Sequence, residues 1–478
     1  MTLSRRALLT RGTATATGIA LAGSFDMLFG SSPAVAAPVP GRKTSSGPVG
    51  YGPLVPDPAG MLSLPDGFTY SVVARSGVTF LDTGEPTPGR PDGTASFPQH
   101  GGAGTVLVQN HEMSGGYSAQ QPPVPQSHGC VYDPGVTAAG LLAAPGGTTT
   151  LTVDKDGRRV SEVVSLAGTY NNCAGGRTPW NTWLSCEETE VRRGSGGLTK
   201  DHGYVFEVSP YDTGANQSAV PLKFFGRFAH EAVAIDPDTG QSYLTEDASN
   251  PNGLLYRWTP PASALPLDKG VLKALPDDAG SLEAMRASSS GTHVPDLSVA
   301  QAVGTTYDVA WVTVPDRDAR TTSTRKQLGN DQITRSRKLE GMWWGDGGAF
   351  FVSSFARTSD GSAAQHDGQV WFLDPLSSTI RLVTVFGYTP GDQDGDVDGP
   401  DNITVSPYGG VLLAEDGEGK QHLVGVTDAG QSFFFARNEL PGDEEFTGPV
   451  FSTDKRTLFA NNQVPGVTYA ITGPFRRQ

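Results

Sequence analysis

Short apolar runs that end in polar residues recur along this chain. They read GTVLVQNHE, NTWLSCEE, SYLTED, GAFFVSSF, GGVLLAED and RTLFANNQ. Most are followed by a second apolar run, such as GYVFEVSP, and several are preceded by one, such as HEAVAIDP. The repeating unit of a β-propeller consists of several short antiparallel strands, which fits a strand, a second strand with a polar end and a third strand. About six such units predict an all-β fold, a six-bladed β-propeller with decorating loops and few short helices.

Few stretches of the chain have helical periodicity. The segment SLEAMRAS at 281–288 is the one fair candidate for an amphipathic helix, while 61 glycines and 36 prolines separate many short β-type runs. Residues 37–60 are rich in proline, glycine and serine, which is typical of an extended arm. We therefore divide the mature chain into an N-terminal arm at 37–60 and a single propeller domain at 61–478.

The first residues have the pattern of an export signal. Arg5 and Arg6 precede a mildly apolar run, and Ala34 to Ala36 provide a small-residue cleavage site. The Ser-Arg-Arg-x-x-Leu context favours a twin-arginine signal peptide at 1–36 over an ordinary secretory signal. The sequence thus predicts export by the twin-arginine translocase to the periplasm, the cell surface or the medium. No later stretch is long and apolar enough to span a bilayer.

The formal net charge of −15 narrows the classes of partner. A chain this acidic does not attract nucleic acid by general electrostatics. It can hold several cations, and an anionic substrate would then need those cations to mask the charge. Solubility alone explains the acidity equally well. The acidic surface favours a monomer.

A propeller brings the polar strand ends together at one mouth of its central channel, where a ring of carboxylates needs cations. The alternative is that these acidic ends are solvated turn residues. Oxygen-rich clusters suit Ca²⁺ or Mg²⁺, and His230 can add a nitrogen ligand. The candidate metal-binding residues are Glu187, Glu188, His230, Glu231, Glu246, Asp247, Glu340, Asp401, Glu415 and Asp416.

Three cysteines, Cys130, Cys173 and Cys186, raise a choice between a disulfide and a metal site. An exported chain permits a disulfide, but an odd number leaves at least one thiol without an internal partner. A thiolate such as that of Cys173, in its Asn-Cys-Ala-Gly-Gly turn, suits iron or zinc and does not suit calcium. The Cys-x-x-Cys and His-Glu-x-x-His spacings of zinc sites are absent from the sequence.

The segment GDQDGDVDGPDN at 391–402 is a separate signal. Asp392, Asp394, Asp396 and Asp398 alternate as at the start of an EF-hand-like calcium loop. The glutamate at the far end of such a loop is missing, and no flanking helices are evident. The sequence leaves open an additional calcium site or a polar surface turn.

Over nearly the whole mature chain, the sequence resembles the PhoX alkaline phosphatase family. The most specific matching run is NNCAGGRTPWNTWLSCEE at 171–188. The others, in the order expected of the family, are LPDGFTY, LVQNHE, GRFAHEA, YLTEDA, LYRWTP, KLEGMWW, GPDNITVSPYGGVLLAEDG and FTGPVFSTDKRTLFANNQVPG. The resemblance implies a twin-arginine-exported six-bladed propeller that hydrolyses small phosphate monoesters with a cluster of Fe(3+) and Ca(2+).

The resemblance also implies roles for individual residues. Cys173 would bridge two ferric ions. Cys186 lies along a predicted strand, which favours a structural role for it. The implied carboxylate ligands are Glu188, Glu231, Glu246, Glu340, Asp401 and Glu415. Where the family has a phosphate-binding arginine, this chain has Lys338 with Arg337 before it, so the charge is kept and the bidentate fork is lost. Asn181 stands where the family has a glycine, in the turn that follows Cys173.

Two other classes of function fit the same sequence. One is another calcium-dependent propeller hydrolase, such as a lactonase or a phosphodiesterase, which needs neither iron nor Cys173. The other is an exported propeller without catalytic activity whose acidic ring binds calcium for stability. Iron together with calcium in the purified protein separates the phosphatase from both.

Overall fold

The computed structural model describes residues 48–127, 129–211, 214–390, 397–442 and 444–478. The predicted signal peptide at 1–36 and the first part of the arm lie outside these residues. Helix in the described part of the chain is limited to one α-helix, Val271–Ala274, and to 3-10 turns at Lys223–Phe225, Ala262–Ala264, Leu297–Val299, Thr324–Lys326 and Thr358–Asp360. None of these could carry the chain across a bilayer. The prediction of an all-β fold with few short helices is confirmed.

Strands make up most of the regular structure. In chain order they are β1 (Leu54–Val55), β2 (Leu62–Pro65), β3 (Thr69–Arg75), β4 (Pro91–Pro98), β5 (Thr105–His111), β6 (Gly146–Val153), β7 (Arg159–Thr169), β8 (Asn172–Arg177), β9 (Trp183–Glu187), β10 (Val205–Val208), β11 (His230–Ile235), β12 (Ser242–Glu246), β13 (Leu255–Thr259), β14 (Ser281–Ser289), β15 (Thr292–Val294), β16 (Thr306–Thr313), β17 (Leu339–Gly345), β18 (Gly348–Ser353), β19 (Gly368–Asp374), β20 (Thr379–Phe386), β21 (Pro400–Val405), β22 (Val411–Glu415), β23 (His422–Val426), β24 (Ser432–Asn438), β25 (Phe446–Phe451), β26 (Thr457–Asn462) and β27 (Val467–Thr472).

These strands form antiparallel meanders in a propeller-like arrangement. The sheet orders are β4-β5-β6-β7, β10-β9-β8, β25-β26-β27-β3 and β1-β2-β24-β23-β22-β21. The largest sheet joins two meanders, β11-β12-β13-β14 and β17-β18-β19-β20, because β16 pairs with both β14 and β20, while β15 pairs with β14. Antiparallel sheets stacked around a centre bury both of their faces, which explains the long apolar runs in β12, β18 and β22.

The first strands of the meanders lie side by side around the centre. Contacts run from β4 to β8, from β8 to β11, from β11 to β17, from β17 to β21, from β21 to β25 and from β25 back to β4. We call these six the ring strands. They are the elements that position the candidate site.

The segment SLEAMRAS, for which the sequence predicts a helix, is strand β14, so that prediction is wrong. Its two edges pair with β13 and β16, and Leu282, Ala284 and Ala287 are buried. Pairing on both edges satisfies the backbone and buries the small apolar side chains, which outweighs the helical preference of Leu, Glu, Ala and Met.

The two ends of the described chain close the last sheet together. Strand β3 pairs along β27, from Thr69 opposite Thr472 to Arg75 opposite Val467. Before β3, Tyr51 packs against Phe68 and Phe435, and the Gly50 N–H donates to the Gln478 side chain. The described part of the arm is therefore packed against the last residues of the chain.

We expect Ile471→Ala to lower the free energy of unfolding by about 2–5 kcal/mol, because it leaves a cavity in the closing sheet. Ile471 is fully buried and lies opposite Tyr70 on β3. Urea denaturation followed by tryptophan fluorescence measures the change. Its matched control is Thr472→Ala at the exposed end of the same strand, with an expected change within about 0.5 kcal/mol. Equal effects of the two substitutions would contradict a buried, closed sheet.

Candidate metal centre

All six ring strands begin on the same plan. The first residue of each ring strand pairs with the last residue of the next strand in the chain. A few residues further along the ring strand, the pairing register shifts. Such β-bulges bend a strand and re-aim the side chains beside them. The second residues of the ring strands are Asp92, Cys173, Glu231, Glu340, Asp401 and Thr447. One bulge repeated around the ring thus places one side chain from each meander at the same end.

A second set of side chains joins them from the next strand outward. In each meander, the strand next to the ring strand is followed by a residue of this second set. The backbone N–H of that residue donates to the carbonyl of the residue just before the ring strand, at 2.8–3.2 Å in all six repeats. These residues are Glu112, Glu188, Asp247, Ser354, Asp416 and Gln463. We call the end of the ring where both sets meet the cluster end.

Four groups of ligand-type atoms lie at the cluster end, each with its atoms within 4.8 Å of one another. The groups are Asp92–Glu112–Cys173, Cys173–Glu188–Glu231, Glu231–Glu340–Asp401 and Asp401–Asp416–Glu445. Consecutive groups share a member, so one thiol and eight carboxylates form a continuous series around the ring. Carboxylates held this close repel one another unless cations lie between them.

The donor set fits the cations that the sequence predicts. Cys173 is 2 % exposed, and its Sγ donates to Glu231 Oε1 at 3.2 Å. Burial and the charge of Glu231 raise the pKa of the Cys173 thiol well above its usual value. A soft thiolate and hard carboxylates in adjoining groups suit two kinds of metal, a transition metal at Cys173 and calcium where all the donors are oxygen.

Amide side chains orient the carboxylates of the first group. Gln463 Nε2 donates to Asp92 Oδ2 at 2.8 Å and to Glu112 Oε2 at 2.6 Å. Asn171 Nδ2 donates to Glu112 Oε1 and Glu188 Oε2, both at 3.1 Å. These bonds connect three meanders across the cluster end.

Adjacent acidic residues at the strand ends separate into two environments. Because successive side chains of a strand point to opposite sides, the second member of each pair reaches the cluster end and the first does not. Glu188 belongs to a ligand group, whereas Glu187 is fully buried beneath it. Glu187 accepts from His202 Nδ1 at 2.6 Å and from the backbone N–H groups of Tyr170 and Gly203.

Glu246 and Glu415 occupy the same inward position as Glu187, outside the four groups. Glu246 pairs with Arg325 at 3.1 Å and accepts from the Tyr256 hydroxyl at 2.8 Å. Burial raises the pKa of Glu246 to about 7 even though Arg325 opposes the shift. Glu415 Oε2 accepts from His422 Nδ1 at 2.9 Å.

His230 also lies outside the four groups. Its ring stacks on Phe228 with centroids 3.6 Å apart, and its Nε2 lies 3.0 Å from the Gly226 carbonyl. Burial lowers the pKa of His230 to about 3, so the imidazole is neutral. It precedes Glu231 on β11 and therefore faces away from the cluster end.

Lys338 and Arg337 diverge at the start of β17. Lys338 Nζ lies 2.7 Å from Glu340 Oε1 and 3.1 Å from Asp247 Oδ2, so its ammonium is at the cluster end. Its φ of 45° is left-handed, as at Arg90 and Asn171 in the equivalent position of two other repeats. Arg337 instead pairs with Asp360 at 3.2 Å and lies over the Phe355 ring.

The three cysteines form no disulfide bond with one another, and they lie in different environments. Cys186 is fully buried in an apolar cluster with Leu184 and Val205. Cys130 is 3 % exposed, and burial raises the pKa of its thiol. Of the three, Cys173 alone belongs to the ligand groups found in the described chain.

Three members of the cluster were not among the sequence candidates. Asp92, Glu112 and Glu445 belong to the first and last groups. A signal for Glu112 is present, since it ends the run GTVLVQNHE at the position that Glu188 and Asp416 occupy in theirs. Asp92 is the second residue of β4, and Glu445 lies just before β25. The register of these strands can be assigned only from their pairing, so the sequence does not show that the two residues reach the cluster end.

Two other predicted features lie away from the cluster. Asp392, Asp394 and Asp396 lie outside the described residues. Asp398 is described, its Oδ2 accepts from the Glu418 N–H at 2.8 Å, and burial raises its pKa to about 7. Asn181 has a left-handed φ of 63° in the turn that follows β8, at the opposite end of that strand from Cys173.

The fold and this cluster define a propeller-like protein with a candidate metal centre at one end of its ring strands. The chain belongs to the alkaline phosphatase PhoX family, whose model matches residues 49–466, so the resemblance found in the motifs is confirmed. Family membership supports a phosphatase.

Solved structures with a loose likeness include a gluconolactonase from Xanthomonas campestris, at 12% identity and a TM-score of 0.35 over 89% of this chain and 98% of that one. Another is the PQQ domain of a pyranose dehydrogenase from Coprinopsis cinerea, at 9% identity and a TM-score of 0.35 over 87% and 98%. At these values neither likeness decides the fold or the function. No curated protein matches the chain by sequence.

Proposed function

We propose that this protein is a metal-dependent phosphatase that hydrolyses phosphate monoesters of small organic molecules at the cluster end, releasing inorganic phosphate and an alcohol. The observation that carries the proposal is the continuous series of one thiol and eight carboxylates, each within 4.8 Å of its group. The family match is the second support.

The cofactors that we propose are Fe(3+) and Ca(2+). Cys173 belongs to two adjoining groups, so Cys173 together with Glu188 and Glu231 would hold iron. The group of Asp401, Asp416 and Glu445 offers only oxygen and suits calcium. When bound, such cations neutralise the charge of a phosphate dianion and polarise its P–O bonds.

The chain's own residues bind and orient around that site. Lys338 supplies a positive charge at the cluster end, between Asp247 and Glu340 of two meanders, where it would interact with a phosphate oxygen. Gln463 and Asn171 fix the carboxylates of the first group. Arg337, held by Asp360, does not take part.

We further infer that the six ring strands correspond to six propeller blades, because one pairing plan and one backbone hydrogen bond recur in all six meanders. The proposal includes export of the folded protein by the twin-arginine translocase and action as a monomer in the periplasm, at the cell surface or outside the cell. Nucleic acid is not a partner in this proposal, since a net charge of −15 opposes it.

The test measures phosphate release from p-nitrophenyl phosphate by the purified, metal-loaded protein. We expect turnover that a chelator abolishes, and a loss of kcat/KM of about 10–100-fold in Lys338→Gln, because a charge next to the transferring group is removed. Lys338→Arg is the matched control and should keep most of the activity, since it retains the charge.

Two results would overturn the proposal. Calcium-dependent hydrolysis of lactones or phosphodiesters without phosphate release from monoesters would indicate the other hydrolase class. Calcium-dependent melting with no turnover of any of these substrates would indicate a structural propeller.

A further inference from the structure

The ring strands have a second end, and a cavity lies there. β8, β11 and β17 carry Cys173, Glu231 and Glu340 near their first residues and reach the cavity with their last ones. Its volume is about 270 Å³. Arg177 lies four positions after Cys173 along β8, which is roughly 13 Å at 3.3 Å per residue. The cavity is therefore distinct from the cluster end, although the same strands line both.

Arg177 is the charged residue of this cavity. Its guanidinium lies 5.2 Å from the centroid of the Phe97 ring, and its Nη2 donates to Asn181 Oδ1 at 2.7 Å. No carboxylate of the described residues pairs with it, although the chain carries a net charge of −15. Burial lowers the pKa of Arg177, but an arginine side chain is not deprotonated in proteins, so the guanidinium keeps its charge. A half-buried guanidinium with most of its five N–H groups unused by protein acceptors is suited to hold an anion.

The walls of the cavity are apolar and aromatic. Trp343 and Trp344 from β17 are both partly exposed, and Val233, Ile235 and Met342 are among the other apolar residues of the lining. Trp343 also packs against core clusters that contain residues of β4, β5, β21 and β26, so it lies over the centre of the ring. Indole faces beside one guanidinium favour a ligand with a flat apolar body and a charged edge.

We propose that this cavity binds a small planar carboxylate with an aromatic or apolar body. One guanidinium balances one negative charge, which favours a monoanion over the phosphate dianion that the cluster end would take. The fork of Arg177 matches the two oxygens of a carboxylate, and the indoles cover the rest of the ligand. The proposal does not depend on phosphatase activity, because it uses none of the residues at the cluster end.

Isothermal titration calorimetry of the purified, metal-loaded protein with benzoate and with benzamide tests this site. The two probes have the same shape and differ in charge. We expect the wild type to bind benzoate at least about 10-fold more tightly than benzamide, because hydrogen bonds to charged groups are the stronger ones. In Arg177→Gln the affinity for benzoate should fall by about 10–100-fold, while the affinity for benzamide stays unchanged.

Two further variants locate the binding. Trp344→Leu should weaken both probes, and Glu340→Gln at the cluster end should affect neither. Equal affinity of the wild type for benzoate and benzamide would overturn the proposal without recourse to any variant. Loss of benzoate binding in Glu340→Gln together with its retention in Arg177→Gln would place the anion at the cluster end instead.

Discussion

Replacing Cys173 by serine is expected to remove iron from the purified protein and to lower kcat/KM for a phosphate monoester by at least about 10²-fold. Loss of a residue that only orients a ligand already costs 10–100-fold, and Cys173 lies in two of the four ligand groups. Serine is nearly the same size, but its hydroxyl does not ionise as a thiol does and is a poor ligand for a transition metal. Elemental analysis and phosphate release measure the two effects.

Cys186→Ser is the matched control. Cys186 is equally buried, but it packs in an apolar cluster beside Leu184. The substitution should cost about 1–3 kcal/mol of stability through an unsatisfied hydroxyl and leave the iron content unchanged. If Cys173→Ser retained full iron and activity, the bridging role would be wrong. If both serine variants lost iron equally, general destabilisation would be the cause.

The second large effect is expected at Glu187. Replacing it by alanine should lower the free energy of unfolding by about 3–5 kcal/mol, because it leaves a buried charge and buried N–H groups without their acceptor. Burial lowers the pKa of His202, but Glu187 and Asp133 on either side of the ring outweigh that effect and raise the pKa above its usual value, which favours the imidazolium form. Chemical denaturation of the metal-depleted protein measures this change in the free energy of unfolding without any contribution from metal binding.

Glu188→Ala is the control at the neighbouring residue, and it should affect metal binding instead of stability. It removes one carboxylate from the acidic cluster and relieves repulsion there, so the metal-depleted protein should be as stable as the wild type or more so. Its metal content and phosphatase activity should fall. Matching losses of stability and metal in both variants would show that the two glutamates do not have separate roles.

The pair Glu187–Glu188 illustrates what could be read from the sequence and what could not. The apolar runs with polar ends predicted the strands and the end of the molecule at which acidic residues gather. Which member of each pair faces that end depends on the pairing register and on the bulge that follows, and both are set by neighbouring strands. The sequence alone therefore groups Glu246 and Glu415 with Glu188, although both lie at the inward position of Glu187.

Residues outside the polar ends were harder to find. Asp92 is the second residue of a ring strand in the segment PDGTASFP, which has no acidic pair to mark it. Glu445 precedes β25 and reaches the last group from a loop. In β14 the local preference for helix was outweighed by pairing on both edges. Each of these outcomes depends on contacts between residues far apart in the sequence.

The pairing of β3 with β27 has a consequence for the order of folding. It joins Thr69 to Thr472, so the closing sheet cannot form until both β3 and β27 have been synthesised. The nine residues of the cluster span positions 92 to 445, and no single meander contains a complete group. Contacts of such long range make folding slow and leave sheet edges exposed in any shorter chain. The candidate metal centre therefore assembles from strands that are far apart in the sequence, and each ligand group forms only when at least two meanders have come together.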